Sequence, residues 1–218
     1  PLISATRFTQ GGFALTRIMR LAALLVAFVV SGPVQAEDIP AHTRDFPGSI
    51  PDMVLGKADA PATIVEFSSL TCPHCATFHS ETLPKIKKDW IETGKAKLVY
   101  RDFPLDGVAM GAAMLARCMP TERYFAFLEI LFANQRQWSH AQNPMAALQT
   151  LARFAGLSDE RSKECMTDNA MMTAIRAKQT DAEQKYKINS TPQFLVNGKM
   201  VPGAQPYEEF AKALSAVQ

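Results

Sequence analysis

At 218 residues, with 47% hydrophobic and 20% charged side chains, the chain has the length and composition of a globular protein with a buried core, which excludes the disordered and fibrous classes. The formal net charge is +2, and residues 1–36 hold Arg7, Arg17 and Arg20 but no acidic residue; the 23 basic residues less those three leave 20 against 21 acidic ones. So balanced a remainder gives no electrostatic reason to expect nucleic acid as a partner.

The first segment speaks to compartment. Residues 1–18 read as sequence upstream of a start at Met19, and Met19-Arg20 is followed by ten uncharged apolar residues, Leu21 to Val30. Ser31-Gly32-Pro33 and the small-residue pattern Val34-Gln35-Ala36 come next, so that residues 19–36 have the anatomy of a secretory signal peptide cleaved near Ala36. A membrane anchor is the alternative, but the apolar stretch is about half of the roughly 20 residues that span a bilayer. Export, here to the periplasm, places the four cysteines in an oxidising compartment.

Residues 37–49 read as an extended leader, and the polar, Pro-containing character persists to Pro51. Ala62-Thr63-Ile64-Val65-Glu66-Phe67 is a short β-branched run typical of a buried central strand. Ser68 to Thr71 separate it from Cys72-Pro73-His74-Cys75, which opens a helix carrying Cys75, Phe78, Ile86 and Trp90 at helical spacing, with Pro84 expected to kink it. Lys97 to Phe103 reads as a second strand. Three- and four-residue recurrences follow: Ala112, Leu115 and Ala116, then Tyr124, Phe127, Leu128 and Leu131, then Leu148, Leu151 and Ala155, which predict amphipathic helices to about Gln184. Gln193–Val196 and Lys199–Val201 flank Asn197-Gly198, a strong hairpin signal, and a last helix carries Tyr207, Phe210, Leu214 and Val217. The predicted organisation is an α/β core from residues 50–104 and 184–218, interrupted by a helical insertion over 105–183.

A C-x-x-C pair alone is ambiguous. Haem attachment needs His directly after the second cysteine, where Ala76 stands. Structural zinc needs four ligands, and Cys118 and Cys165 stand alone, although His79 lies one turn after Cys75 and could be a third ligand. An inert Cys72–Cys75 disulfide is a further alternative. The redox reading is favoured by position. With Pro73 first in the helix, Cys72 takes the N-cap, where the free N–H groups of His74 and Cys75 and the helix dipole stabilise a thiolate; a protonated His74 would add to this. These effects lower the thiol pKa into a range of roughly 3.5 to 7.5 and make the sulfur a good leaving group. Cys75, one turn on, is the buried partner.

Glu66 is a carboxylate inside an apolar strand, six residues before Cys72, where burial would raise its pKa and let it pass a proton to or from Cys75; an edge-strand Glu facing water is the alternative. Thr191-Pro192 precedes the hairpin strand and is either a tolerated trans bond at a strand start or a cis-proline facing the cysteines, with the Thr191 backbone open to an extended substrate.

Ile64-Val65-Glu66-Phe67, Cys72-Pro73-His74-Cys75, Tyr100-Arg101-Asp102-Phe103-Pro104, the helical insertion and Thr191-Pro192 together resemble the DsbA-type thiol:disulfide interchange proteins of the thioredoxin superfamily, over most of residues 52–218. The resemblance implies a thioredoxin-like fold with an inserted α-helical domain. It also implies Cys72 and Cys75 as the redox pair, His74 as a stabiliser of the thiolate, Glu66 as the proton-relay carboxylate and Pro192 as the cis-proline. The low end of the pKa range above belongs to such proteins. The implied reaction is donation of disulfides to exported proteins with free cysteines, followed by reoxidation by a quinone-linked membrane partner. No cofactor and no metal are called for, and the chain is expected to act as a monomer. Thr191 also occurs in isomerase and reductase relatives, so a disulfide isomerase or reductase is the first alternative; a copper-stress metal-handling protein and a redox-silent binding module are the others.

Cys118 and Cys165 fall in the helical block, where an oxidising compartment favours a disulfide between them over two separate buried thiols. Met110, Met114, Met119, Met171 and Met172 read as core filling rather than as a copper or peptide site. His42, His79 and His140 are expected to be exposed and without function.

Overall fold

The computed structural model describes residues 50–216. The start at Met19, the cleavage site near Ala36, residues 37–49 of the leader, His42 and Val217 lie outside the described residues.

Among the described residues five strands form one mixed sheet: β1 Met53–Leu55, β2 Ala62–Ser68, β3 Ala96–Asp102, β4 Gln193–Val196 and β5 Lys199–Pro202, in the order β1-β3-β2-β4-β5. β2 and β3 run parallel, from Ala62 opposite Ala96 to Ser68 opposite Asp102, and a parallel pair needs a crossover, which a helical segment supplies. β4 pairs antiparallel with β2, and β1 with β3. The three-residue β1 falls in a stretch where the sequence pattern predicts no strand. Asn197 and Gly198 both have positive φ, 50° and 81°, as a two-residue hairpin turn requires, and the Asn197 Oδ1 accepts from the Thr63 N–H at 2.8 Å.

Because β2 is central, its alternation divides the molecule. Ala62 and Ile64 pack with Phe78, Leu83, Ile86, Phe194, Phe210 and Leu214 on one face, the face that Glu66 and Ser68 share by period. Phe67 packs with Leu195, Ala182 and Ile188 on the other. The crossover comprises α1 Pro73–Thr77, a π-helical turn Phe78–Thr82, α2 Leu83–Ile86 and a second π turn Lys87–Ile91. In place of a simple kink, wide turns flank Pro84, whose missing N–H cannot serve an ordinary α-helical ladder.

Between β3 and β4 lie α3 Gly107–Cys118, α4 Thr121–Ala133, α5 Gln135–Ser139, α6 Pro144–Phe154, α7 Asp159–Met166 and α8 Asn169–Tyr186; α9 Tyr207–Ser215 closes the fold. Four of these begin with a side-chain cap. Asp106, Asn143, Ser158 and Asp168 accept from the N–H groups of Ala109, Ala146, Arg161 and Met171. Met110, Met114, Met119 and Met171 are buried among these helices, and Met172 packs against them. A disulfide joins Cys118 of α3 to Cys165 of α7, with 6.2 Å between Cα atoms. Among the described residues no helix is long and apolar enough to cross a membrane.

Candidate active site

β2 ends at Ser68, and the Cys72 N–H closes a turn onto the Ser69 carbonyl at 3.1 Å. The turn delivers Cys72 in extended conformation, φ −79° and ψ 118°, to the N-cap of α1, with Pro73 in the first helical turn. Cys72 and Cys75 are free thiols. The Cys72 pKa is lowered to about 5 from an ordinary 9.0. Its hydrogen bond with the Cys75 thiol contributes most; burial opposes, while the Thr191 side chain and the backbone N–H groups of Cys75 and His74 add to the lowering. The Cys75 thiol is pushed far the other way, by burial first, then by the sulfur of Cys72 and the neighbouring Glu66 carboxyl, with the Ser68 hydroxyl opposing. One sulfur is thus ready to carry charge at neutral pH and the other holds its proton. The His74 side chain is exposed, and the contribution seen from this residue comes through its backbone.

The Thr191–Pro192 peptide is cis, and the Thr191 carbonyl accepts from the Cys72 thiol at 3.3 Å. Glu66 is fully buried on the central strand, opposite Tyr100 of β3 and Phe194 of β4, and so does not sit on an edge facing water. Its Oε1 lies 3.0 Å from the His79 Nε2, while Oε2 has no hydrogen-bond partner among the described residues.

That contact corrects the expectation for His79, which is 8% exposed and not a solvent-facing residue. Its ring stacks on Phe132 of α4 at 4.0 Å between centroids. The spacing carried the signal, since a residue four after buried Cys75 shares its helix face. His140 is exposed.

Two supports come from far along the chain. The buried Gln135 side chain donates through Nε2 to the Leu70 and Cys72 carbonyls, both at 2.9 Å, and thereby holds the loop that presents the sulfur. The Thr71 hydroxyl donates to Asp106 Oδ2 at 2.7 Å, and the other oxygen of Asp106 caps α3. Neither support leaves a local sequence pattern. Beneath the site, Asp102 and Arg117 form a buried ion pair, and the Tyr100 and Tyr124 phenols are pushed well above their usual range by burial and by neighbouring carboxylates.

The family model described as Thioredoxin matches residues 49–216. Disulfide bond formation protein D of Bacillus subtilis is 31% identical over 166 residues, 74% of each chain. A Rickettsia bellii relative, named for protein-disulfide oxidoreductase activity, is 33% identical over 148 residues; the match covers 67% of this chain and 57% of that longer one. Among solved structures, Wolbachia pipientis alpha-DsbA1 aligns with a TM-score of 0.72 and 31% identity over 76% of this chain and 90% of that one. BdbD from Bacillus subtilis aligns with a TM-score of 0.67 and 27% identity, over 76% and 91%.

Proposed function

The chain belongs to the thioredoxin family, among its DsbA-type members, and from that membership we propose that it is a periplasmic thiol:disulfide oxidoreductase that donates disulfides to exported proteins. The observation that carries the reading is the division of labour between the two sulfurs, with Cys72 lowered to about 5 and Cys75 buried and held as a thiol. A thiolate at position 72 is a stable product of reduction, so the Cys72–Cys75 disulfide is readily given away.

In the forward reaction a substrate thiolate attacks the Cys72 sulfur of the oxidised pair. The new bond joins substrate to Cys72, the Cys72–Cys75 bond breaks, and Cys75 leaves with the electron pair and takes a proton from the Glu66 carboxyl. A second substrate thiolate then attacks the substrate sulfur of the mixed disulfide, which forms the substrate's disulfide and releases Cys72 as a thiolate. The backbone of Thr191, before Pro192, is the place for an extended substrate segment to pair, and a protonated His74 would further favour the thiolate. A quinone-linked membrane protein is the proposed reoxidant, and a monomer the proposed working form.

The decisive measurement is the equilibrium of the Cys72–Cys75 pair with glutathione. An oxidant transfers its disulfide almost completely, whereas a potential near that of thioredoxin would replace this reading with a reductase or isomerase. Cys72→Ser abolishes oxidative refolding of a reduced client and Cys75→Ser accumulates mixed disulfides; equal activity in both would remove the assigned roles.

A further inference from the structure

Among the buried titratable groups that the mechanism leaves without a task, His79 is the one in contact with Glu66 through a hydrogen bond. Cys75 gains a proton when the disulfide is donated and must lose it when the pair is reoxidised, yet Glu66, the carboxyl that exchanges it, is itself fully buried. Without a route to solvent, each donation would leave Glu66 as a charged carboxylate buried in the sheet until the pair is reoxidised.

We propose that His79 is the relay between Glu66 and solvent, and so the gate through which each proton of the redox cycle enters and leaves. This rests on the oxidoreductase reading above. Three observations converge on it. The two oxygens of Glu66 are unequally engaged: Oε1 meets the His79 Nε2 at 3.0 Å, and Oε2 has no partner among the described residues. The second ring nitrogen, Nδ1, is likewise buried without a hydrogen-bond partner among them. His79 also lines an open cavity of about 480 Å³, together with Ala76, Ser80, Leu83, Lys87, Glu129 and others. An imidazole with one nitrogen on a buried carboxyl, set in the wall of an open cavity, can accept at one end and donate at the other.

The groups around the ring fit the task. Glu66 faces it from β2 and Tyr100 meets it edge-on from β3 at 6.2 Å, while Phe132 of α4 stacks on it. The charged residues lining the cavity are Lys87, Glu129 and Glu92, of which Lys87 and Glu129 pair with each other at 2.6 Å. Phe78 closes the remaining side within the helix, 5.6 Å away. The ring is held in place by these apolar contacts and by the Nε2 contact with Glu66.

The proton count closes. In the oxidised protein Oε2 carries the proton and the His79 Nε2–H donates to Oε1. Donation moves the Oε2 proton to the Cys75 thiolate; water admitted from the cavity to the buried Nδ1 gives it a proton, and the Nε2 proton passes to Oε1. Glu66 is again neutral and the ring holds its proton on Nδ1. When a disulfide reoxidises the pair, Cys75 returns its proton to Oε2, Oε1 returns its own to Nε2, and Nδ1 releases one to water. The ring ends in its starting tautomer, so the relay resets once per turnover with no ring flip.

The test separates rate from equilibrium. His79→Gln keeps a donor for Glu66 but cannot change protonation, and is expected to leave the glutathione equilibrium within about twofold of the parent while slowing both reduction and reoxidation of the pair at least tenfold at pH 7. His79→Ala opens the cavity toward Glu66, and added imidazole is expected to restore its rate in proportion to concentration. Exchange by both variants at the parent's rate from pH 6 to 9 overturns the relay, as does a slowed His79→Ala that imidazole leaves unmoved. On the unsubstituted protein, nitrogen-15 shifts are expected to place the ring proton on Nε2 in the oxidised form and on Nδ1 in the reduced form; the same nitrogen in both overturns it even if neither variant folds. A parent protein that exchanges no thiols would fail at Cys72, sinking the oxidoreductase reading and with it the relay.

Discussion

Gln135 reaches across 63 residues of sequence to hold the carbonyl of Cys72, a role that its own neighbourhood in α5 does nothing to announce. Its amide serves two buried acceptors at once, Leu70 and Cys72, so Gln135→Leu, which nearly conserves volume, leaves the Leu70 carbonyl unsatisfied and the Cys72 carbonyl with the Ala76 N–H alone, at 3.2 Å. Unmet buried carbonyls cost roughly 1–3 kcal/mol, and a loss of that size is expected in denaturant unfolding of the reduced protein. The acidity of Cys72 has other sources, in Cys75, Thr191 and the N–H groups of the first helical turn, none of which the substitution removes. Thiolate absorbance in Gln135→Leu is therefore expected to titrate still at about 5. A midpoint moved back toward 9.0 would mean that the amide sets the position of those N–H groups and not merely the stability of the loop.

At the scale of elements, legibility followed how local the determining physics is. The sequence pattern marks Ala62–Phe67 and β2 extends one residue further, because a β-branched run between turn residues needs no distant partner to declare itself. The hairpin is equally local, since Asn197-Gly198 supplies the two positive φ angles. β1 is different. Three residues carry too little alternation to register, and what makes Met53–Leu55 a strand is its pairing with Tyr100, Val99 and Leu98 on β3. Cys72, Cys75 and Glu66 were legible because the strand-to-helix junction puts them close in sequence as well as in space, whereas Gln135 and Asp106 act from the helical block. Within that block the Cys118–Cys165 disulfide joins α3 to α7 across a separation of 47 residues. On the chain-entropy model such a loop contributes up to about 4 kcal/mol, so Cys118→Ala with Cys165→Ala is expected to lower unfolding free energy by that much or less. Neither sulfur belongs to the exchanging pair, and the thiol-exchange rate of the double variant should equal the parent's; a changed rate would turn a strut into a modulator of the site.

For the whole molecule, the charge on Cys72 couples folding to redox state, and the direction of the coupling is fixed by its sign. The folded thiol ionises at about 5 and an ordinary one at 9.0, so the reduced protein gains stability that is complete above pH 9 and is lost as pH falls through 5. In the oxidised protein the same sulfur is bonded and cannot titrate, so this gain is absent. Between pH 5 and pH 7 the stability of the reduced form relative to the oxidised form is thus expected to rise by roughly 2 kcal/mol, at about 1.36 kcal/mol per unit. Melting temperatures should show it as a reduced-minus-oxidised gap that widens by roughly 4–8 °C over that interval. Parallel curves for the two forms would mean that the fold does nothing for the thiolate. A widening gap carries the functional consequence directly, because free energy that the fold gains on reduction is free energy available for passing the disulfide on. Every 1.36 kcal/mol shifts that transfer about tenfold toward the client, so on the proposed function the Cys72–Cys75 disulfide should be given up more completely at pH 7 than at pH 5, to a client whose own thiols ionise in the ordinary range.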